Sequence, residues 1–228
     1  MQAVILAAGF GKRLRPITYH VPKPMIRIAG KNLIEHNLDI LPDEIDELII
    51  VVNYLKEQII NHFGSNYKGR KIKYVRQKDM LGTGHALSIC KEYLRNRFLV
   101  MMGDDIYSRV DIERSIKHEQ CILAQAVSGK FIGGRIKLDS NGNLDDIVEG
   151  VHNKSKSLSN VGLYVATKKF FEYDLVRIPG RKEYGLPQTL VKLAQDNPIN
   201  IEKVENWIQI SDLEGLKRAE KRLMTIIN

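Results

Sequence analysis

Little in these 228 residues points to export, membranes or a disulfide framework. No apolar run approaches the roughly 20 residues that span a bilayer. No secretory leader is expected either, because Met1 runs into Val4-Ile5-Leu6 and then a glycine-rich turn. Only two cysteines occur, Cys90 and Cys121, in apolar surroundings and without metal-ligand spacing, so reduced core thiols and a cytoplasmic location are expected. The six histidines form no cluster that would serve as a metal site or a catalytic triad. Internal repeats and low-complexity linkers are absent. Anionic balance is lacking too, since 35 Lys and Arg face 27 Asp and Glu for a formal net charge of +8. The cations are scattered, however. Their clusters are small, and the one at 217–222 falls at helical spacing beside Glu214 and Glu220, as on a solvated helix face. No nucleic-acid module is recognisable, so phosphorylated small molecules are the expected partners and neither nucleic acid nor membrane is.

What is present is ordinary globular material, 43% hydrophobic and 27% charged, enough for a sizeable core. Short β-rich runs at 3–7, 47–53, 71–76 and 98–102 alternate with helical stretches at 33–41, 55–63 and 85–94. That alternation predicts βαβ units and a doubly wound α/β core, with ligands beyond the carboxyl ends of the strands. After residue 118 the texture turns β-rich. Strands are expected at 121–127, 134–138, 144–148, 161–166 and 199–204, with helices at 186–195 and 212–226. The expectation is one domain, with residues 1–118 as a nucleotide-binding half and 119–228 as an acceptor-binding half.

The first strand empties into Leu6-Ala7-Ala8-Gly9-Phe10-Gly11-Lys12-Arg13-Leu14-Arg15-Pro16. Gly9 and Gly11 free backbone amides for an anion and allow close approach. Arg13 and Lys23, the latter between Pro22 and Pro24, bring cations to the same rim. A dinucleotide fingerprint would need glycine where Leu14 stands, and a Walker A loop would need Ser or Thr where Arg13 stands. Gln77 follows the third strand, and its amide offers both a donor and an acceptor, which suits the imide edge of uracil or thymine. Thr83 reads as a helix N-cap. The strand at 98–102 ends in Gly103-Asp104-Asp105, where a carboxylate is placed for magnesium and Asp105 is expected to cap the next turn.

The run at 6–16, with Pro22-Lys23-Pro24-Met25 and Gly30-x-x-Leu33-Ile34-Glu35, resembles the N-terminal signature of the sugar-phosphate nucleotidyltransferases. The resemblance implies a Rossmann-like, glycosyltransferase-A-like mixed sheet with a β-rich second half. It implies nucleotide contacts from Leu6, Ala7, Ala8, Gly9, Gly11, Gln77, Gly82 and Thr83. Arg13 would hold the departing phosphates, Lys23 would contact the reacting ones, and Asp104 would be the ligand of Mg2+. Leu81-Gly82-Thr83-Gly84-His85-Ala86 is especially similar to the uridylyltransferases, which favours UTP or dTTP. Acceptor contacts are implied at Gly134, Glu149 and Asn160.

Two positions depart from the family pattern. The second metal carboxylate, two residues after a Trp, is replaced by Gln209, with Asp212 nearby as an alternative ligand or a helix N-cap. The Lys that commonly follows the acceptor Glu is replaced by Gly150, with Lys154 as a substitute. The implied reaction joins a nucleoside triphosphate to a sugar 1-phosphate. Two rivals stand beside it: a phosphocholine-type cytidylyltransferase, for which 7% aromatics and one tryptophan offer little cage material, and a non-catalytic binding subunit. A β-helical acyltransferase domain of the kind some relatives carry is not expected. Self-association into a homo-oligomer is left open.

Overall fold

A computed structural model describes residues 1–227. Ten strands are described: β1 Gln2–Leu6, β2 Arg27–Ile28, β3 Lys31–Asn32, β4 Glu47–Val52, β5 Asn66–Tyr67, β6 Arg70–Arg76, β7 Arg97–Met102, β8 Cys121–Leu138, β9 Leu144–Thr167 and β10 Asn200–Lys203. The helices are α1 Leu33–Asp39, α2 Lys56–Phe63, α3 Thr83–Ser88, α4 Arg109–Ser115, α5 Leu186–Ala194 and α6 Leu213–Ile227. Eight strands form one mixed sheet in the order β10-β8-β9-β7-β1-β4-β6-β5, which runs through both halves of the chain.

Period-two alternation explains why helices cover both faces. Along β1, Val4 and Leu6 enter one core with Ile49, Val51, Phe98 and Val100, beneath α3 and α5. Ala3 and Ile5 enter the other with Leu48, Ile50, Leu99 and Met101, beneath α1, α2 and α4. A strand buried on both faces has to be almost wholly apolar, and β1 is so from Ala3 to Leu6, while buried Gln2 at its start donates to Glu47 Oε2 and Tyr93 O. A third, smaller cluster seats α6 against Leu14, Ile28 and Ile210.

β1, β4, β6 and β7 are mutually parallel, so Leu6, Val52, Arg76 and Met102 end at one edge. β9 runs antiparallel to β7, with Met101 opposite Leu163, and this returns Asn160 to the same edge. β8 and β9 are far longer than the expected pieces. They make one bulged antiparallel ribbon that curls, so that Arg135 pairs with both Val148 and Ser159. The helix expected at 85–94 starts earlier, at Thr83, and gives way after Ser88 to a 3-10 turn at Lys91–Tyr93. α4 was not expected.

On α1, Asp39 receives Lys31 Nζ at 2.5 Å, Lys68 Nζ at 2.6 Å and Tyr67 Oη at 2.7 Å. Burial alone would raise its pKa, but these bonds outweigh burial and hold the carboxyl down at about 2. A depressed carboxyl stabilises the fold above its unfolded value of 3.8, and the contribution is lost as pH falls toward 2. Asp39→Asn should therefore lower Tm near neutral pH by about 4–8 °C, on the order of 2 kcal/mol. It should also flatten the fall in Tm between about pH 4 and pH 2. Thermal unfolding at stepped pH reads both, and an unchanged slope would remove Asp39 from acid stability.

Candidate active site

The carboxyl edge opens into a cavity of about 780 Å³. Its walls come from the loop after β1 (Leu6, Ala8, Gly9, Gly11), from Gln77 after β6, from Gly82 and Thr83 at the start of α3, and from Asp104 after β7. The ribbon closes the far side with Gly134, Glu149 and Asn160. Gln209 reaches the same cavity from the segment before α6. Of the residues singled out in the sequence, Ala7, Arg13 and Lys23 do not line it. Ala7 is core. Arg13 is exposed on the 3-10 turn Lys12–Leu14. Lys23 is only 8% exposed, and its ammonium lies 2.6 Å from Asp104 Oδ2.

The pocket around Gln77 is held by the chain itself. Gln77 Nε2 donates to Gly82 O at 3.0 Å and approaches His85 Nδ1 at 3.2 Å. Gly82 has φ +97°, and a Cβ there would lie 2.4 Å from Tyr184 O, so no other residue fits. Thr83 is not the N-cap. Gly82 occupies that position without a side-chain bond, and Thr83 Oγ1 accepts instead from Leu186 N at 3.1 Å. The 184–186 stretch thus braces the turn on which Gln77 and Gly82 sit.

On the ribbon side, Gly134 stands opposite Glu149, and a Cβ at Gly134 would lie 2.9 Å from Glu149 Oε1. The missing side chain makes room for the carboxylate. Gln188, buried on α5, directs Nε2 toward the same oxygen at 3.4 Å. Asn160 donates to Tyr164 Oη at 2.7 Å and accepts from Gly162 N at 3.1 Å, which fixes its amide.

Asp105 does not cap the next turn. Its carboxylate accepts from Ile210 N at 3.0 Å and from Trp207 Nε1 at 3.3 Å. Burial first, then the charge of adjacent Asp104, pushes its pKa up to about 7. Asp212 takes the cap role: Oδ1 accepts from Gly215 N at 2.7 Å at the start of α6, and that bond is the main reason its pKa is lowered. It does not line the cavity. Lys154, paired near Gly129 on the bend of the ribbon, is exposed and does not line it either.

Several lining residues were missed in the sequence, among them Lys12, Arg181, Glu183 and Trp207. Lys12 stood beside Gly11 and could have been found there. Arg181, Glu183 and Trp207 reach the cavity from loops remote in sequence, where nothing local marks them.

The family profile described as Nucleotidyl transferase matches residues 2–223. The chain belongs to that family. The bifunctional protein GlmU of Methanocaldococcus jannaschii is 33% identical over 230 residues, which covers all of this chain and 55% of that protein. This nucleotidyl transferase thus spans about half the length of that curated relative. The UTP–glucose-1-phosphate uridylyltransferase AglF of Haloferax volcanii is 31% identical, covering 98% of this chain and 96% of AglF. A crystal structure of a Bacillus anthracis protein in complex with sucrose superposes with a TM-score of 0.84 at 24% identity, covering 97% of this chain and 94% of that one. At that identity the likeness is one of fold. Among the described residues of this nucleotidyl transferase, no helix is long and apolar enough to cross a membrane.

Proposed function

We propose that the chain transfers a nucleotidyl group from UTP or dTTP to a sugar 1-phosphate and releases pyrophosphate. The observation that carries this reading is convergence. The glycine-rich loop, Gln77, Asp104, and the Gly134–Glu149–Asn160 group come from four separate elements and line one cavity. The name of the uridylyltransferase relative AglF supports the same pyrimidine and sugar 1-phosphate chemistry. The buried, unpaired thiols of Cys90 and Cys121 are consistent with action in the cytoplasm.

In this reading an oxygen of the acceptor phosphate attacks the α-phosphorus. A new P–O bond forms, the α–β bridging P–O bond breaks, and its electron pair leaves with pyrophosphate. The nucleophile is already ionised at neutral pH, so no protein base is needed, and the residues act by alignment and charge neutralisation. Glu149 and Asn160 hold sugar hydroxyls, and Gln77 and Gly82 face the base. Arg13, which does not line the cavity, serves the departing phosphates only if its loop moves toward them.

The donor set fits a magnesium ion of the kind that relies on substrate. Asp104 offers a carboxylate and Gln209 an amide oxygen, both hard ligands. Asp105 is committed to Trp207 and Ile210. No group of three or more His, Cys, Asp or Glu able to hold a metal occurs among the described residues, so phosphates and water would complete the shell. Magnesium, when bound, supplies charge neutralisation at the phosphates. Asp104, now paired with Lys23, would hold the ion, and the Lys23 ammonium would be free to meet phosphate oxygens.

The direct test is a screen of UTP, dTTP, CTP, ATP and GTP against several sugar 1-phosphates and phosphocholine, reading pyrophosphate release. Turnover confined to phosphocholine with CTP, or none with any pair, would overturn the proposal.

Four variants refine it. Arg181 is the one arginine lining the cavity among the described residues, and Gly150 stands where the family resemblance implied a lysine. Arg181→Ala should raise KM for the sugar 1-phosphate about tenfold, roughly 1.4 kcal/mol, with kcat changed far less. Lys154→Ala should leave both unchanged, and the reverse pattern in initial-rate measurements would move the acceptor phosphate to the ribbon. Gln209→Asp adds a second carboxylate, so the magnesium concentration at half-maximal rate should fall severalfold. Asp212→Asn should not move it, because asparagine caps a helix equally well. A magnesium titration in which only Asp212→Asn matters would give the ligand role to Asp212.

A further inference from the structure

The segment that carries Gln209 has little structure of its own, being neither helix nor part of the main sheet. It is suspended from three residues between the end of β7 and the start of α4, namely Asp105, Ile106 and Asp111. Ile106 and Ile208 exchange two backbone bonds, of 3.0 and 2.9 Å. Upstream, Asp111, fully buried at the start of α4, accepts from Glu205 N at 2.9 Å and Asn206 N at 3.2 Å. Downstream and beneath it, Asp105 takes Ile210 N on Oδ1 and Trp207 Nε1 on Oδ2. Asp105 is itself fixed from behind, because Asn37 Nδ2 donates to its carbonyl at 2.7 Å. Residues on both sides of Gln209 are therefore pinned, while Gln209 is exposed to the cavity.

We propose that Asp105 is a positioning residue: its carboxylate sets Gln209 and Trp207 in place against Asp104 and so builds the metal and phosphate end of the cavity. The inference rests on the nucleotidyl-transfer reading and adds a residue to it. Asp105 touches neither phosphate nor metal in this account. It acts through the 207–210 segment, which ties the end of β7 to the approach to α6 and closes that side of the cavity.

The chemistry explains why this position needs a carboxylate. Two N–H donors from opposite directions must each find an acceptor, and a carboxylate provides one oxygen for each. Asparagine has a single carbonyl oxygen, so its NH2 would face one of the two donors, and a buried donor left without a partner is destabilising. Glutamate carries an extra methylene in a site only 9% exposed, so the segment would have to shift. Either change should displace Gln209 while leaving Asp104 on its strand end.

The test uses the full chain in four forms: wild type, Asp105→Asn, Gln209→Ala and the double variant. UTP affinity is measured by calorimetry with and without MgCl2, alongside the fluorescence of Trp207, the only tryptophan. Asp105→Asn should weaken UTP binding about tenfold with magnesium and much less without it. It should also shift Trp207 emission, because the indole loses its acceptor. In the Gln209→Ala background the same substitution should add almost nothing, since the residue through which it acts is already gone. If Asp105→Asn does not fold, Trp207→Phe removes one of the two donors alone. It should reproduce a smaller magnesium-dependent loss of about two- to threefold that also disappears with Gln209→Ala. Losses that add fully across the double variant, or a lower Tm with UTP affinity intact, would overturn the positioning role. Wild type that binds no triphosphate would overturn the nucleotidyl-transfer reading and this inference together, whereas wild-type binding retained in Asp105→Asn overturns this inference alone.

Discussion

Asp104→Asn is expected to lower the rate of pyrophosphate release by about 10³-fold, on the order of 4 kcal/mol of transition-state stabilisation, in a protein that still folds. Asp104 is the one carboxylate that lines the cavity at the end of a central strand without being committed to the backbone. Asparagine preserves its shape and removes its charge, so the change isolates charge. The consequence for stability has two opposing parts. Lys23, nearly buried, loses the partner 2.6 Å away, which is unfavourable. Asp105 loses a like-charged neighbour, the second cause of its raised pKa after burial, which is favourable. These should roughly offset, leaving Tm within a few degrees of wild type. Stopped assays over a range of magnesium, paired with thermal unfolding, read the two effects separately. Near-normal kcat in folded Asp104→Asn at saturating magnesium would take Asp104 out of the mechanism.

The parts of this molecule that could be read from sequence are those where one short segment carries its own reason. β1, β4 and β7 are apolar on both faces because helices cover both, and such runs announce themselves. The glycine-rich loop and Gly103-Asp104 sit directly after two of these strands, so their place at the cavity followed from the strands. The curled ribbon was not legible in its middle. Residues 128–133 and 150–156 run through Ser, Gly, Lys and Asn with many side chains exposed, and Ile132 and Val151, paired across it, are 76% and 63% exposed. With no buried face there is little apolar alternation to find, and the strands are held by the backbone ladder with a few surface contacts, such as Ser128 Oγ to Ser155 O and the Phe131–His152 ring pair. α4 was missed for a related reason. Its buried side includes Asp111, whose carboxylate is satisfied by the distant Glu205 N and Asn206 N, and Ser115, whose hydroxyl donates one turn back to Asp111 O. Ser108, whose hydroxyl accepts from Asp111 N at 3.2 Å, was the local signal that could have revealed it.

The same division runs through the site. Gln77 could be picked out, but not the fact that its amide is already bonded to Gly82 O. Asp105 looked like a turn residue because its partners lie 102 and 105 positions away in the chain. Arg181 and Trp207 become cavity residues only once α5 and α6 are docked. Local chemistry was visible, whereas convergence had to be seen.

Lys23→Ala should lower kcat by about 10²- to 10³-fold and Tm by several degrees, and both losses come from the same ammonium. Lys23 stands on a 3-10 turn between Pro22 and Pro24, whose rings fix φ and hold the chain close to one conformation. Its ammonium faces two adjacent carboxylates of which one is buried, and it lowers the pKa of Asp105 against the raising effects of burial and Asp104. Removing it should push that pKa above about 7, so Asp105 would be largely protonated at neutral pH. The raised carboxyl then disfavours the fold as pH climbs through its new value, so Tm of the variant should fall more steeply above neutrality than that of wild type. The loss of turnover has a separate origin. With triphosphate bound, the ammonium that now neutralises Asp104 becomes available to phosphate oxygens, and a methyl group offers nothing there. Arginine is not a rescue, because its planar fork is too large for a site 8% exposed. Steady-state kinetics and unfolding from about pH 6 to pH 9 decide between the two roles. A variant that loses Tm yet keeps turnover within twofold would leave Lys23 as the neutraliser of Asp104 and nothing more.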